Sequence, residues 1–229
     1  MAELIVALDV DEKRAGDLVD ILAEEVEIFK IGFPLFSTCS PEFIRKFQQK
    51  GKKVFFDFKF HDIPTTVGKA IKALEKYNPF AMTLHITGGE QMLKEAVRTV
   101  RAMSGVTQPL LLGVTVLTSL EEEDMSALGI RHKLSDQVAR LASLAKKAGL
   151  DGIVASGREI ELVRKACGED FVIVVPGIRL KGEEMHDQIR TITPSLAVGK
   201  GADYIVVGRP VSDADDPLAV VKKIKREMK

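Results

Sequence analysis

The feature that most constrains the fold is a regular alternation, along all 229 residues, between short apolar runs and longer amphipathic runs. Strands that alternate with helices predict a parallel sheet. Eight such units in a chain of this length fit a closed barrel better than an open sheet. No linker or break in composition interrupts the pattern. We therefore predict an α/β protein with one domain, residues 1–229, folded as a single (β/α)8 TIM barrel.

The predicted elements follow from the two periodicities, which are two residues for strands and 3.6 for helices. The predicted strands are 4–8, 27–31, 53–59, 81–85, 110–116, 152–155, 171–175 and 202–207. The predicted helices are 13–25, 41–50, 65–76, 90–103, 133–148, 159–166, 195–200 and 217–227. Ser40 is placed to cap the second helix, and Gly149 to end the fifth.

Composition narrows the range of functions. The 33 Lys and Arg residues balance 33 Asp and Glu residues, which argues against a general nucleic-acid or membrane-surface binder. The first residues show no cleavable signal, and no apolar run approaches the ~20 residues that span a bilayer. Cys39 and Cys167 lie far apart without metal-binding spacing, and no Gly-x-Gly-x-x-Gly follows the first strand. We expect a cytoplasmic protein with no metal, no cofactor, no nucleic acid and no membrane partner.

The third predicted strand carries the densest charge. Asp57 and Lys59 are two residues apart, so their side chains point to the same side of the strand. Asp62 follows where the strand has ended, because Pro64 discourages its continuation. A buried strand rarely carries such charges unless they pair with one another or act on a ligand. Two interpretations stay open here: a structural ion pair that caps the strand, and a catalytic cluster.

Other polar residues fall where predicted strands end, which is where (β/α)8 barrels build their active sites. Asp9 follows the first strand, and Lys30 lies within the second, so we expect these two to pair. Together with Asp57 and Lys59 they form an array of alternating charge. His85 ends the fourth strand, where a lone histidine is more often a structural hydrogen-bonding group than a catalytic one.

The last predicted strand ends in Gly208 and Arg209, just before another helix. Barrels often bind phosphate there through backbone N–H groups, and an arginine can add a charge-assisted contact. The alternative is a turn glycine beside an exposed arginine. The long polar loop that begins near Arg179 suits a lid over a phosphate, although a loop of this length can also be merely loose.

These residues resemble the orotidine 5'-phosphate decarboxylase family of the bacterial type. Residues 57–64 read Asp-Phe-Lys-Phe-His-Asp-Ile-Pro and contain an Asp-x-Lys-x-x-Asp motif. The segments 29–32, 114–119 and 175–179 fall in the expected order, and the resemblance runs from residue 5 to residue 210. The motif itself is shared with 3-keto-sugar-phosphate decarboxylases and synthases. The residues around it and the Leu-Thr-Ser segment at 117–119 favour the pyrimidine enzyme.

The resemblance implies a carboxy-lyase that converts orotidine 5'-phosphate to UMP and CO2 in de novo pyrimidine biosynthesis, with no cofactor. It implies that Lys59 protonates C6 of the pyrimidine and that Asp57 lies near the departing carboxylate. Catalytic roles are implied for Lys30, Asp57, Lys59 and Asp62. Asp9 and Lys30 would hold the ribose hydroxyls and the charge network.

The resemblance also implies the rest of the substrate site. Thr118, with Ser119, would contact the pyrimidine edge. The implied phosphate ligands are Arg179, Gln188, Gly208 and Arg209. A homodimer with shared active sites is implied as well, in which Asp62, Ile63 and Thr66 serve the neighbouring subunit. One departure is Thr65, where the family often has asparagine.

Two other functions stay open. One is a decarboxylase of the 3-keto-6-phosphogluconate type or a hexulose phosphate synthase, which act on sugar phosphates with Mg2+ held by similar acids. The other is a barrel that binds a phosphorylated ligand without catalysis.

Overall fold

The strands form one closed, fully parallel barrel in the order of the sequence. The computed structural model describes residues 2–104, 107–180 and 191–229. The strands are β1 (Glu3–Ala7), β2 (Ile28–Gly32), β3 (Lys53–Phe60), β4 (Ala81–His85), β5 (Leu110–Val114), β6 (Gly152–Val154), β7 (Val172–Val175) and β8 (Tyr204–Val207). The predicted (β/α)8 barrel is therefore confirmed, and β8 pairs with β1 to close it.

Helices follow the strands and surround the barrel. They are α1 (Glu12–Leu22), α2 (Phe33–Thr38), α3 (Pro41–Gln49), α4 (Pro64–Leu74), α5 (Gly89–Arg101), α6 (Glu122–Ala127), α7 (Leu134–Ala148), α8 (Ile160–Cys167), α9 (Pro194–Gly199), α10 (Arg209–Ser212) and α11 (Pro217–Glu227). Two predicted caps are confirmed. The Ser40 hydroxyl accepts the Phe43 N–H at the start of α3, and Gly149 ends α7 with a φ of 90°, which glycine adopts without strain.

Several predicted boundaries were wrong. The first helix ends at Leu22 rather than at residue 25, and the fifth strand ends at Val114 rather than at residue 116. Three short helices, α2, α6 and α10, were not predicted, because runs of four to six residues display helical periodicity only weakly.

The apolar core has two parts. The larger part lies between the barrel and its helices. The smaller part fills the barrel interior and consists of Ile5, Ala7, Ile28, Phe55, Ala81, Leu112, Val174 and Val206. A filled interior is usual for this fold, and it leaves room for a site only above the packed layer, at the carboxyl ends of the strands.

Candidate active site

A cavity of about 570 Å3 opens at the carboxyl end of the barrel. Ala7, Phe55, Val174 and Val206 line it and also belong to the interior core, so they form its apolar floor. The cavity brings together most of the predicted site residues, namely Asp9, Lys30, Asp57, Lys59, Thr118, Arg179, Gly208 and Arg209. The ends of distant strands therefore converge as the sequence predicted.

An alternating network of charges lies on one side of the cavity. Lys30 Nζ is 3.1 Å from Asp9 Oδ1 and 3.5 Å from Asp57 Oδ2. Lys59 Nζ is 2.9 Å from the same Asp57 oxygen. The predicted pairing of Lys30 with Asp9 is confirmed. Asp57 is the centre of the network, since two ammonium groups approach one of its oxygens.

Burial and neighbouring charges shift the pKa values of Lys30 and Asp57 in opposite directions. Burial would lower the pKa of Lys30, but the Asp57 and Asp9 carboxylates outweigh it, and the pKa is raised. Burial would likewise raise the pKa of Asp57, but Lys30 and Lys59, helped by a hydrogen bond from Thr83, lower it. Both groups are therefore charged at neutral pH.

The two lysines differ in their access to the cavity. The Lys30 side chain is 10% exposed and contacts two carboxylates, whereas the Lys59 side chain is 36% exposed and contacts one. Both lysines line the cavity, and Lys30 is the more enclosed of the two. Lys59 is the more accessible ammonium.

The basic side of the cavity is formed after β7 and β8. Arg179 is buried, and its Nη1 donates a hydrogen bond of 2.8 Å to the carbonyl of Ile178. Gly208 caps the start of α10, and Arg209 is the first residue of that helix. β7 lies four strands from β3 around the barrel. The two lysines and the two arginines therefore line opposite sides of one cavity.

Other predicted residues lie outside the cavity. Asp62, Ile63 and Thr66 are exposed beyond the end of β3, and Ile63 is 64% exposed. Ser119 is exposed, while its neighbour Thr118 lines the cavity. Gln188 lies outside the described residues.

His85 and His61 form a pair beside the network, with ring centroids 5.5 Å apart. Burial lowers the pKa of His85, and His61 and Lys59 lower it further, against a weaker opposing effect of Asp57. Neither ring lines the cavity, which agrees with a structural role for His85.

In residues 2–104, 107–180 and 191–229, no group of three or more His, Cys, Asp or Glu side chains could hold a metal ion. Within the same described residues, no helix has the length and apolar character needed to cross a membrane.

Comparison with known proteins decides the family. The model of the "Orotidine 5'-phosphate decarboxylase / HUMPS family" matches residues 2–224. The chain belongs to this family. Orotidine 5'-phosphate decarboxylase of Moorella thermoacetica is 44% identical over 231 residues, which cover 99% of this chain and 92% of that protein. The protein of the same name from Saccharophagus degradans is 44% identical over 227 residues, covering 99% and 94%.

A solved structure extends the likeness to three dimensions. The crystal structure of orotidine 5'-phosphate decarboxylase from Lactobacillus acidophilus has a TM-score of 0.89 and 36% sequence identity, and the match covers 100% of both chains. The resemblance seen in the sequence is confirmed. The relatives carry the name of a carboxy-lyase, so the prediction of an enzyme of this class is confirmed too.

Thr83 contacts two of the predicted site residues of this family member but was not itself predicted. Thr83, in the middle of β4, is fully buried. Its hydroxyl donates a hydrogen bond of 2.9 Å to Asp57 Oδ1 and accepts one of 2.9 Å from the backbone N–H of Lys59. The only signal in the sequence is a polar residue within the apolar run Ala-Met-Thr-Leu, and threonine is common in strands.

Proposed function

We propose that the protein converts orotidine 5'-phosphate to UMP and CO2 in de novo pyrimidine biosynthesis, without a cofactor, and that residues 1–229 act as one domain. The observation that carries this proposal is the position of Lys59. Its ammonium lies 2.9 Å from the Asp57 carboxylate, inside the cavity that also contains the two arginines. The names of relatives at 44% identity support the choice of substrate.

Loss of CO2 from orotidylate leaves an electron pair on C6, where the ring cannot fully delocalise it. A fixed ammonium aimed at that carbon stabilises the developing charge without any reorganisation during the reaction. Lys59 then transfers a proton to C6, so that a C–H bond replaces the C–C bond to the departing CO2. Lys30 keeps Asp57 ionised, and Asp57 keeps the Lys59 ammonium in place.

The remaining lining residues suit the rest of the substrate. Thr118 would contact the pyrimidine edge, and Asp9 with Lys30 the ribose hydroxyls. Arg179 and Arg209, with the backbone at Gly208, suit the 5'-phosphate. Gln188 remains a predicted phosphate ligand. Binding energy from this remote phosphate can be used to order the reacting groups, which raises the rate of the chemical step.

We also propose a homodimer in which each subunit completes the site of the other. The support comes from exposed apolar residues that follow β2 and β3 at the carboxyl end of the barrel. Ile63 is 64% exposed and Phe33 is 57% exposed, and Phe33 lines the cavity. Apolar side chains of this size next to a site suit a subunit contact. Asp62 and Thr66 would then reach the partner's substrate.

The Mg2+-dependent sugar-phosphate reaction fits this site less well. A divalent ion needs an excess of oxygen ligands, but the Lys30 ammonium already lies within 3.5 Å of both Asp9 and Asp57. The two carboxylates are balanced by two ammonium groups. A barrel that only binds ligands has no evident need for the largely buried charges of Lys30 and Asp57, since each costs free energy to desolvate.

The deciding experiment is a spectroscopic assay of orotidylate loss by the purified protein, with and without a metal chelator. We expect consumption of orotidylate, formation of UMP, and no effect of the chelator. Binding of orotidylate without turnover would contradict the proposal. Turnover of a 3-keto sugar phosphate that needs added Mg2+, with none of orotidylate, would support the sugar-phosphate reaction instead.

A further inference from the structure

Lys59 has an unusual backbone for a residue in a strand. Its φ is 49°, in the left-handed region, which an L side chain adopts only with strain. Among the described residues other than glycine, only Lys59 and Asn78 have a positive φ. Asparagine tolerates this region, and Asn78 ends a short 3-10 helix. Lysine has no such tolerance, so something in the surroundings must hold Lys59 there.

The strand pairing shows where the strain arises. Phe56 of β3 pairs with Met82 of β4, and Phe60 pairs with Leu84. Three residues of β3, 57–59, therefore face a single residue of β4, which is Thr83. This is a bulge with two extra residues, and bulges change the direction in which side chains leave a strand. The reacting pair Asp57 and Lys59 lies entirely within it.

The Thr83 hydroxyl bonds to both ends of this bulge. The bulge removes regular ladder partners, and a buried backbone N–H left without a partner is costly. Thr83 Oγ1 accepts the Lys59 N–H at 2.9 Å. An ionised carboxylate can only accept hydrogen bonds, so the hydroxyl proton is donated to Asp57, also at 2.9 Å. One hydroxyl thus fixes both the side chain of Asp57 and the backbone of Lys59.

We propose that Thr83 is a positioning residue, whose hydroxyl holds Asp57 and the left-handed backbone of Lys59 in the arrangement that aims the Lys59 ammonium at the reacting carbon. The inference rests on the proposed decarboxylation, since it requires Lys59 to act on substrate. Thr83 does not line the cavity. It acts through Asp57 and Lys59 and does not contact the substrate.

Two substitutions separate the hydroxyl from the methyl group. Thr83→Val keeps the shape and removes the hydroxyl, whereas Thr83→Ser keeps the hydroxyl and removes the methyl. A residue that only packs would tolerate Val and suffer from Ser. If the hydroxyl positions Asp57 and Lys59, kcat should instead fall in Thr83→Val and be retained in Thr83→Ser, whichever variant is the more stable.

The test measures kcat and KM for orotidylate, binding of UMP by calorimetry, and thermal unfolding. We expect the kcat of Thr83→Val to fall by about 100-fold, the scale of a misplaced reacting group. KM and the affinity for UMP should change much less. Thr83→Ser should retain a kcat close to wild type. A wild-type kcat in Thr83→Val would overturn the proposal, as would equal losses of kcat in both variants.

If Thr83→Val does not fold, Thr83→Ala and Thr83→Ser make the same comparison, because both lack the methyl and only Ser has the hydroxyl. Ser should then exceed Ala in kcat by a similar factor, and equality would overturn the inference. Failure of the proposed function looks different, since the wild-type protein itself would not consume orotidylate.

Discussion

Replacing Lys59 with alanine tests the centre of the mechanism. The Lys59 ammonium lies 2.9 Å from the Asp57 carboxylate. A carbanion held at the same distance from this ammonium would be stabilised electrostatically by about 6 kcal/mol at an effective dielectric near 20. That energy corresponds to about four powers of ten in rate. Loss of proton donation adds a factor of about 10² to 10⁴. We therefore expect Lys59→Ala to lower kcat by at least about 10⁴-fold.

The fold should survive this change. Asp57 keeps the Lys30 ammonium at 3.5 Å and the Thr83 hydroxyl at 2.9 Å, so no buried carboxylate is left without partners. Lys59 is partly exposed, and its pair with Asp57 is worth correspondingly little to folding. Lys72→Ala is the matched control, because Lys72 also pairs with an acid, Glu75, at 2.6 Å but lies on α4, away from the cavity.

The assay is loss of orotidylate absorbance, with thermal unfolding measured on the same preparations. Lys72→Ala should turn over like the wild type, and both variants should unfold cooperatively. The reasoning is refuted if folded Lys59→Ala retains turnover within about tenfold of wild type, since less than 1.4 kcal/mol of transition-state stabilisation would then depend on the ammonium.

Three further outcomes are expected. Arg209→Ala should weaken binding of a phosphorylated ligand by about 10- to 100-fold, the scale of a lost charge-assisted hydrogen bond. Binding of the unphosphorylated nucleoside should be nearly unaffected. Equal losses of affinity in titrations of both ligands would argue against a phosphate contact. Mixing Lys59→Ala and Asp62→Ala chains should restore some activity if sites are shared, whereas no recovery despite subunit exchange would count against sharing. The lowered pKa of Asp57 stabilises the folded state above its ordinary pKa, and this stability is lost as pH falls through the folded value. The midpoint of thermal unfolding should thus fall as the pH drops below about 4 in the wild type, and it should fall less in Asp57→Asn. Identical dependence of the midpoint on pH in both proteins would contradict that assignment.

The sequence predicted most of the fold because the two periodicities alternate so cleanly. β4 (Ala81–His85) and α11 (Pro217–Glu227) were predicted to the residue. α11 begins at Pro217, and Pro79 lies two residues before β4, so a proline gives each boundary a physical cause. α2 and α10 were missed because their six and four residues are too few to show a repeating apolar face.

The charge network was predictable because charged residues inside an apolar strand need partners, and the closed barrel supplies them from neighbouring strands. Thr83 was not predictable in the same way. Its role depends on a shift of register between β3 and β4, and such a shift leaves no mark in the local pattern of either strand. The same shift gives Lys59 its left-handed backbone, which no propensity would assign to lysine.

The location of the network explains how the chain can carry such costly features. The strained backbone of Lys59 reduces the stability of the folded state, and the burial of Asp57 carries a desolvation cost that its ammonium and hydroxyl partners must offset. Both residues lie directly above the interior core that includes Phe55 and Val174, and the helices outside add a second, larger core. Burial in these two layers stabilises the barrel independently of the charges. The mouth of the barrel can therefore hold Asp57 and Lys59 in this arrangement, and under the proposed function we expect substitutions there to reduce turnover far more than they reduce the free energy of unfolding.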